Sequence, residues 1–314
     1  MKHFARKLFP PLQIYYASQV RKRIITDSQK TDLLISSLIE AGNPAMVGRI
    51  GACESAALSC FKDRYTDNYS KDPITYLYNQ ITSQKRFIQL RDLAGVYPIN
   101  KSQLKIFYYE FVKSIYNSDI LGCWGETFTA FEKFAIGENR KLIPQASTSP
   151  WILDSHGTPG GWSKSLEGKK VLVVSPFSDL FTSQYKNKEN IYKNSKLPEF
   201  EIIALKAPLT QGGLNDGSTW ETNLGTLKRQ ADNFNFDVAL ISAGSYANPL
   251  ASYIKDIGKI GINCGGELQI FFGVLGRRWE KAGRHMRYIN NHWVRPSDDL
   301  KPSNWETIEG GCYW

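Results

Sequence analysis

The chain has 314 residues, 42% hydrophobic and 13% aromatic, enough to fill a sizeable core in one or two domains. Its five scattered cysteines include no Cys-x-x-Cys pair and it has only four histidines, which argues against a disulfide framework and against a zinc module and makes free thiols in a reducing compartment the default. Nowhere do 18 uncharged apolar residues run together, and residues 1–26 hold no continuous apolar core of a signal peptide, so the expected location is cytoplasmic.

The formal charge of +9 is unevenly placed. Residues 1–26 carry Lys2, Arg6, Lys7, Arg21, Lys22 and Arg23 without an acid, interleaved with Phe4, Leu8, Phe9, Tyr15 and Tyr16. This stretch reads either as a solvated basic face or as a peripheral contact with the anionic inner surface of a membrane. No nucleic-acid-binding motif accompanies the charge, so nucleic acid is not an expected partner.

Further along, Leu34, Leu38 and Ile39 suit one buried helical face, and Leu104, Phe107, Phe111 and Ile115 suit another. Short strands punctuate these helices at Ala45–Ile50, at Ile120–Trp124 ahead of Gly125 and Glu126, and more weakly at Lys141–Ile143. A Pro/Gly/Ser-rich stretch, Ser147–Gly161, reads as a linker or as a lid over a cleft. From Gly168 the pattern is regular: Lys170–Ser175, Glu201–Leu205, Asp237–Ser242 and Lys259–Cys264 are each short, β-rich and followed by a helical stretch. Apolar stripes mark those helices at Trp220, Leu224, Leu227 and Ala231; at Leu250, Tyr253, Ile254 and Ile257; and at Leu268, Phe271, Phe272 and Leu275. Such alternation predicts an α/β fold, a Rossmann-like parallel sheet flanked by helices, with residues 1–160 as a helix-rich N-terminal region and 161–314 as the regular α/β region.

In an open parallel sheet, ligands bind beyond the carboxyl ends of the strands, where helix N-termini and free backbone N–H groups converge. Five loops qualify: Gly48–Ser55, Ser175–Ser178, Ala207–Gly213, Ala243–Tyr246 and Cys264–Gln269. Gly265 and Gly266 let a backbone approach a diphosphate, or simply make a tight turn. Gly244 and Ser245 read the same way, with Ser245 as a helix cap. Neither loop matches G-x-G-x-x-G, so a dinucleotide is not favoured. Arg49, at a strand end before Gly51, and Glu54, opening a helix with Ser55, place a phosphate fork and a carboxylate on one rim; a structural ion pair is the alternative. Glu126 offers a second carboxylate. Tyr246, Trp124 and Phe177 are candidates to stack on a ring, beside Pro176, and Gln211 and Gln269 to hydrogen-bond hydroxyls. A second basic cluster, Arg277, Arg278, Lys281, Arg284 and Arg287, is a candidate phosphate holder.

At these residues the chain resembles the GT-D glycosyltransferases, whose N-terminal loop reads Arg-Phe-Gly-Asp-Gly-Glu after a strand; here the stretch is Arg49-Ile50-Gly51-Ala52-Cys53-Glu54. Phe236–Gly244, Gly265–Gln269 through Trp279, and Gly310–Trp314 are similar to bacterial relatives among polysaccharide-synthesis proteins. The resemblance implies a GT-D-like fold, a nucleotide-sugar donor, a glycan or lipid-linked acceptor, and a divalent metal, Mn or Mg, assisted by an Asp-x-Glu motif. The motif's aspartate falls on Ala52, so Glu54 alone carries over as a metal ligand. Strand-end position and resemblance together make Glu54, Arg49 and Glu126 the catalytic candidates, with Gly51, Ser55, Pro176, Phe177, Gln211, Gly244, Ser245, Tyr246, Gly265, Gly266 and Gln269 expected around the donor. A pyruvyl-type transferase on glycans and a non-catalytic sugar-nucleotide-binding subunit stand as alternatives.

Overall fold

The computed structural model describes residues 24–67, 73–123, 141–144, 148, 161–192, 197–213, 217–282 and 286–314. The expected strands all form: β1 (Ala45–Arg49), β2 (Ile120–Cys123), β3 (Lys141–Pro144), β4 (Lys170–Ser175), β5 (Glu201–Lys206), β6 (Val238–Ile241) and β7 (Ile260–Asn263). They make one seven-stranded sheet in the order β3-β2-β1-β7-β6-β4-β5, with every neighbouring pair parallel. The fold is α/β and Rossmann-like. The sheet runs across the boundary expected near residue 160, because β1 pairs directly with β7, Val47 opposite Ile262.

A parallel sheet covered on both sides needs apolar side chains on both, and β4 supplies them in alternation. Leu172 and Val174 join one core and Val171 and Val173 the other. The first core is roofed by helices α2 (Ala52–Tyr65), α3 (Pro73–Ala94), α4 (Lys101–Asn117), α6 (Trp220–Ala231) and α7 (Ala247–Asp256), through residues such as Leu58, Leu90, Phe107, Trp220 and Leu250. The second lies under α1 (Ser28–Ala41), α5 (Ser178–Tyr185) and the single turn α8 (Leu268–Phe271), with Ile35, Phe181 and Phe271. A short α9 (Arg277–Ala282) follows. Three helix starts, those of α1, α4 and α6, carry side-chain caps. Asp27, Asn100 and Thr219 accept from the N–H groups of Lys30, Gln103 and Thr222 at 3.0, 2.9 and 3.1 Å.

Three stripes differ from expectation. In α1 the buried face is Thr31, Ile35 and Ile39, leaving Leu34 and Leu38 at its edge. Ile257 lies past the end of α7 and is exposed. The Leu268–Leu275 stretch buries all four apolar residues, yet it is helical for one turn only, because Gly273 enters the left-handed region at φ 66° and turns the chain. Among the described residues, no helix is long and apolar enough to cross a membrane.

β7 and α7 touch backbone to backbone at Gly261, where a Cβ would lie 2.6 Å from the Ala251 carbonyl oxygen. Gly261→Ala therefore has to push α7 off the sheet and should cost about 1–3 kcal/mol in chemical denaturation. An unchanged midpoint would show that α7 is not seated this closely.

Candidate functional site

β1 follows β2 through Arg49, opposite Gly122, but follows β7 only through Val47. Where the β7 ladder stops, a side chain continues it. Asn248, the second residue of α7, accepts from the Arg49 N–H at 3.0 Å and donates to the Arg49 carbonyl at 2.6 Å. Asn263 at the end of β7 donates to Asn248 Oδ1 at 2.9 Å, and its own Oδ1 accepts from the Gly265 N–H at 3.1 Å. Two buried amides thus tie together β1, α7 and the loop after β7. β1 then leads into α2 on one face of the sheet and β7 into α8 on the other, which opens a crevice between their carboxyl ends.

Arg49 crosses the floor of that crevice. Its Nη1 donates to the Cys264 carbonyl at 2.6 Å, and the guanidinium lies against Gly265. Gly265 adopts φ 61°, and a Cβ there would overlap the guanidinium, so both backbone and space require glycine. Burial pulls the Arg49 pKa below its ordinary value, opposed by Glu267, Cys264, Tyr313 and Glu54. An arginine does not lose its proton in a protein, so the result is a desolvated cation aimed at a cavity.

Glu54 stands in the first turn of α2, whose N-cap, Gly51, makes no side-chain capping bond. Its carboxylate folds back over Gly51 and accepts its own backbone N–H. Burial pushes its pKa up; its N–H and Arg49 pull it back, and Glu309 pushes it further up. Burial likewise raises the thiols around the site, Cys264 and Cys312 to about 12, so no thiolate nucleophile stands here.

The opposite wall comes from residues 309–314. Arg278 pairs with the Glu309 carboxylate, donates to Cys312 Sγ at 3.2 Å and lies 4.8 Å over the Tyr313 ring. Gln269 Nε2 holds the Tyr313 carbonyl at 3.0 Å, and the Arg277 and Arg278 N–H groups bond the carbonyls of Trp314 and Cys312, both at 3.0 Å. Glu309 is the one non-glycine residue at positive φ, 51°, among those described. Such backbone strain collects where a site over-determines the chain.

These walls enclose a cleft of about 510 Å³. Arg49, Gly51, Glu54, Pro176, Phe177, Gln211, Gly244, Gly265, Gly266 and Gln269 all line it, so all five expected loops meet there. Ser55, Ser245 and Tyr246 do not line it. Ser55 is buried in α2; Ser245 accepts from Trp220 Nε1 at 2.9 Å; Tyr246 stacks on Trp220 with ring centroids 5.7 Å apart. These three sit behind the cleft and support its loops. Glu126 and Trp124 lie outside the described residues. Of the second basic cluster, Arg278 lines the cleft while Lys281 is exposed. Glu309, Tyr313 and Asn263 escaped sequence reasoning, although the run Glu309-Gly310-Gly311 marks a turn. Gln211 and Gln269 each keep a buried side-chain carbonyl oxygen without a hydrogen-bond partner among the described residues.

Among the described residues the donor set does not suit a divalent cation. Glu54 stands beside the Arg49 cation, Arg278 engages Glu309, and among the described residues no three His, Cys, Asp or Glu side chains come together to hold a metal.

No family model and no curated protein matches the chain. A solved structure titled "Selenomethionine substituted structure of domain of unknown function 1792 (DUF1792)" is similar over 86% of each chain, with 14% sequence identity and a TM-score of 0.42.

Two outcomes test this geometry. Gly265→Ala should displace Arg49 and lower stability by about 1–3 kcal/mol in denaturant titration. Because burial raises the folded-state pKa of Glu54, the stability its neutral form provides is full below the ordinary carboxylate range and is lost as pH rises through the folded value. Glu54→Gln stays neutral, so its Tm should gain on the native protein's as pH goes from about 4 to about 8. Parallel Tm curves would contradict a buried carboxyl.

Proposed function

We propose that the cleft binds a nucleoside-diphosphate sugar and that the protein is a glycosyltransferase, acting on a glycan or lipid-linked glycan in cell-surface polysaccharide synthesis. The observation that carries this reading is the desolvated Arg49 guanidinium on the cleft floor, between the Gly265–Gly266 turn and Glu54. The resemblance around Arg49–Glu54 points the same way. A buried cation without a full carboxylate partner favours a doubly charged ligand over a neutral one.

In this reading the diphosphate lies along Arg49 and the Gly265–Gly266 backbone, with Arg278 on the facing wall. As the bond from the anomeric carbon to the phosphate oxygen breaks, charge grows on the leaving group, and fixed cations stabilise it without reorganising. Glu54 takes the proton of the acceptor hydroxyl as its oxygen bonds to the anomeric carbon; the burial that raises its pKa makes it a stronger base. Gln211 and Gln269, which line the cleft, hydrogen-bond sugar hydroxyls in this reading.

A second reading, a sugar-nucleotide-binding subunit without turnover, is favoured by Ala52 at the position of the motif's aspartate. The two separate in one experiment. Nucleoside diphosphates and their sugars should raise the Tm of the purified protein, whereas phosphoenolpyruvate should not. Glu54→Gln should keep that shift while slowing donor hydrolysis about 10²–10⁴-fold. Arg49→Ala should lose the shift. Stabilisation without any hydrolysis by the native protein selects the binding subunit, and no stabilisation by any nucleoside diphosphate refutes both.

A further inference from the structure

The first half of α3 is turned inside out. Its polar side chains face the protein: Asn79 and Ser83 are buried against α2. Asn79 Nδ2 donates to Asp63 Oδ2 at 2.7 Å and to Ser59 Oγ at 3.1 Å, Arg64 Nη1 donates to Ser83 Oγ at 2.9 Å, and Gln80 Nε2 donates to the Asp63 carbonyl at 2.8 Å. Asp63 also pairs with Lys62 at 3.1 Å, both buried. Rotating α3 would leave these groups unpaired in the interior, so the helix is locked in this orientation.

The price falls on the outer face. At about 100° per residue, Ile74, Leu77, Ile81, Lys85 and Ile88 fall within a stripe about 80° wide. The four apolar members are 46%, 59%, 71% and 40% exposed. Four large aliphatic side chains aligned on one helix face are unlike the scattered exposed residues any surface carries.

The charge on this face selects its occupant. From Pro73 to Arg91 there is no acid, Asp72 and Asp92 bracket that run, and the exposed Lys85 is the one charge within the stripe. Pairing two copies stripe to stripe brings their basic residues into one interface. Anionic headgroups over an apolar layer satisfy both the charge and the aliphatic side chains.

We infer that the Ile74–Ile88 stripe of α3 seats the protein on an anionic lipid bilayer, with the aliphatic side chains in the interface and Lys85 among the headgroups. The same helix supplies Leu93 to the cleft, so seat and cleft share one rigid element. The inference stands apart from the transferase reading.

Co-sedimentation with vesicles of phosphatidylcholine, alone or with about 30% phosphatidylglycerol, tests it. The full-length chain should bind the anionic vesicles and release in high salt. Ile74→Ser/Leu77→Ser/Ile81→Ser should weaken binding about tenfold or more with Tm preserved, because all three side chains are exposed. Lys85→Glu, a single surface change that cannot disturb the core, should weaken it about fivefold or more. Native-strength binding by both variants would overturn the inference and assign the contact to residues 1–23. Equal binding to neutral vesicles, or a native dimer that the triple variant converts to monomer, would overturn it in favour of a nonspecific or a self-association surface.

Discussion

The site depends on one side chain standing in for a strand. β1 parts from β7 after Val47, and without a partner its last N–H and C=O groups would be left unpaired at a buried edge. The Asn248 amide satisfies both groups of Arg49, and Asn263 holds Asn248 in place. The sheet can therefore split at its carboxyl end without losing hydrogen bonds, and Arg49 is fixed at the point of the split. A shorter polar side chain would not span the gap, and an apolar one would leave two backbone groups unsatisfied at about 1–3 kcal/mol each.

The cleft concentrates unfavourable terms. Arg49 and Glu54 are both partly buried at the cleft, and each has its pKa moved by burial toward the neutral form. Glu309 takes a left-handed backbone, and two glutamine carbonyl oxygens are buried unpaired. The rest of the fold compensates through its two cores, and the aromatic stack of Trp220 on Tyr246 behind the cleft makes the loop after β6 rigid. In the proposed reading, an entering anion would relieve these terms, as in other pre-organised electrostatic sites.

Much of the sheet was legible because parallel strands buried on both faces are short continuous apolar runs, and all seven could be bounded within a residue or two. The rule that ligands gather at strand carboxyl ends found the loops for the same reason, since it follows from strand direction alone. It misjudged Ser245 and Tyr246, which share a loop with Gly244 but turn inward to Trp220. It passed over Glu309 and Tyr313, which reach the cleft from a segment with no strand before it. The outward stripe of α3 was also illegible, since periodicity locates an apolar face without saying which way it points.

The sequence by itself determined the elements, their parallel alternation and the five loops available for chemistry, because local burial patterns and turn residues encode these at short range. Tertiary structure alone decided which strands are neighbours, that Asn248 would complete β1, and that residues 309–314 would wall the cleft. Those outcomes rest on contacts between residues as much as 215 positions apart, as in the pairing of β1 with β7. Such contacts are set by how both cores pack, and no local pattern carries that information.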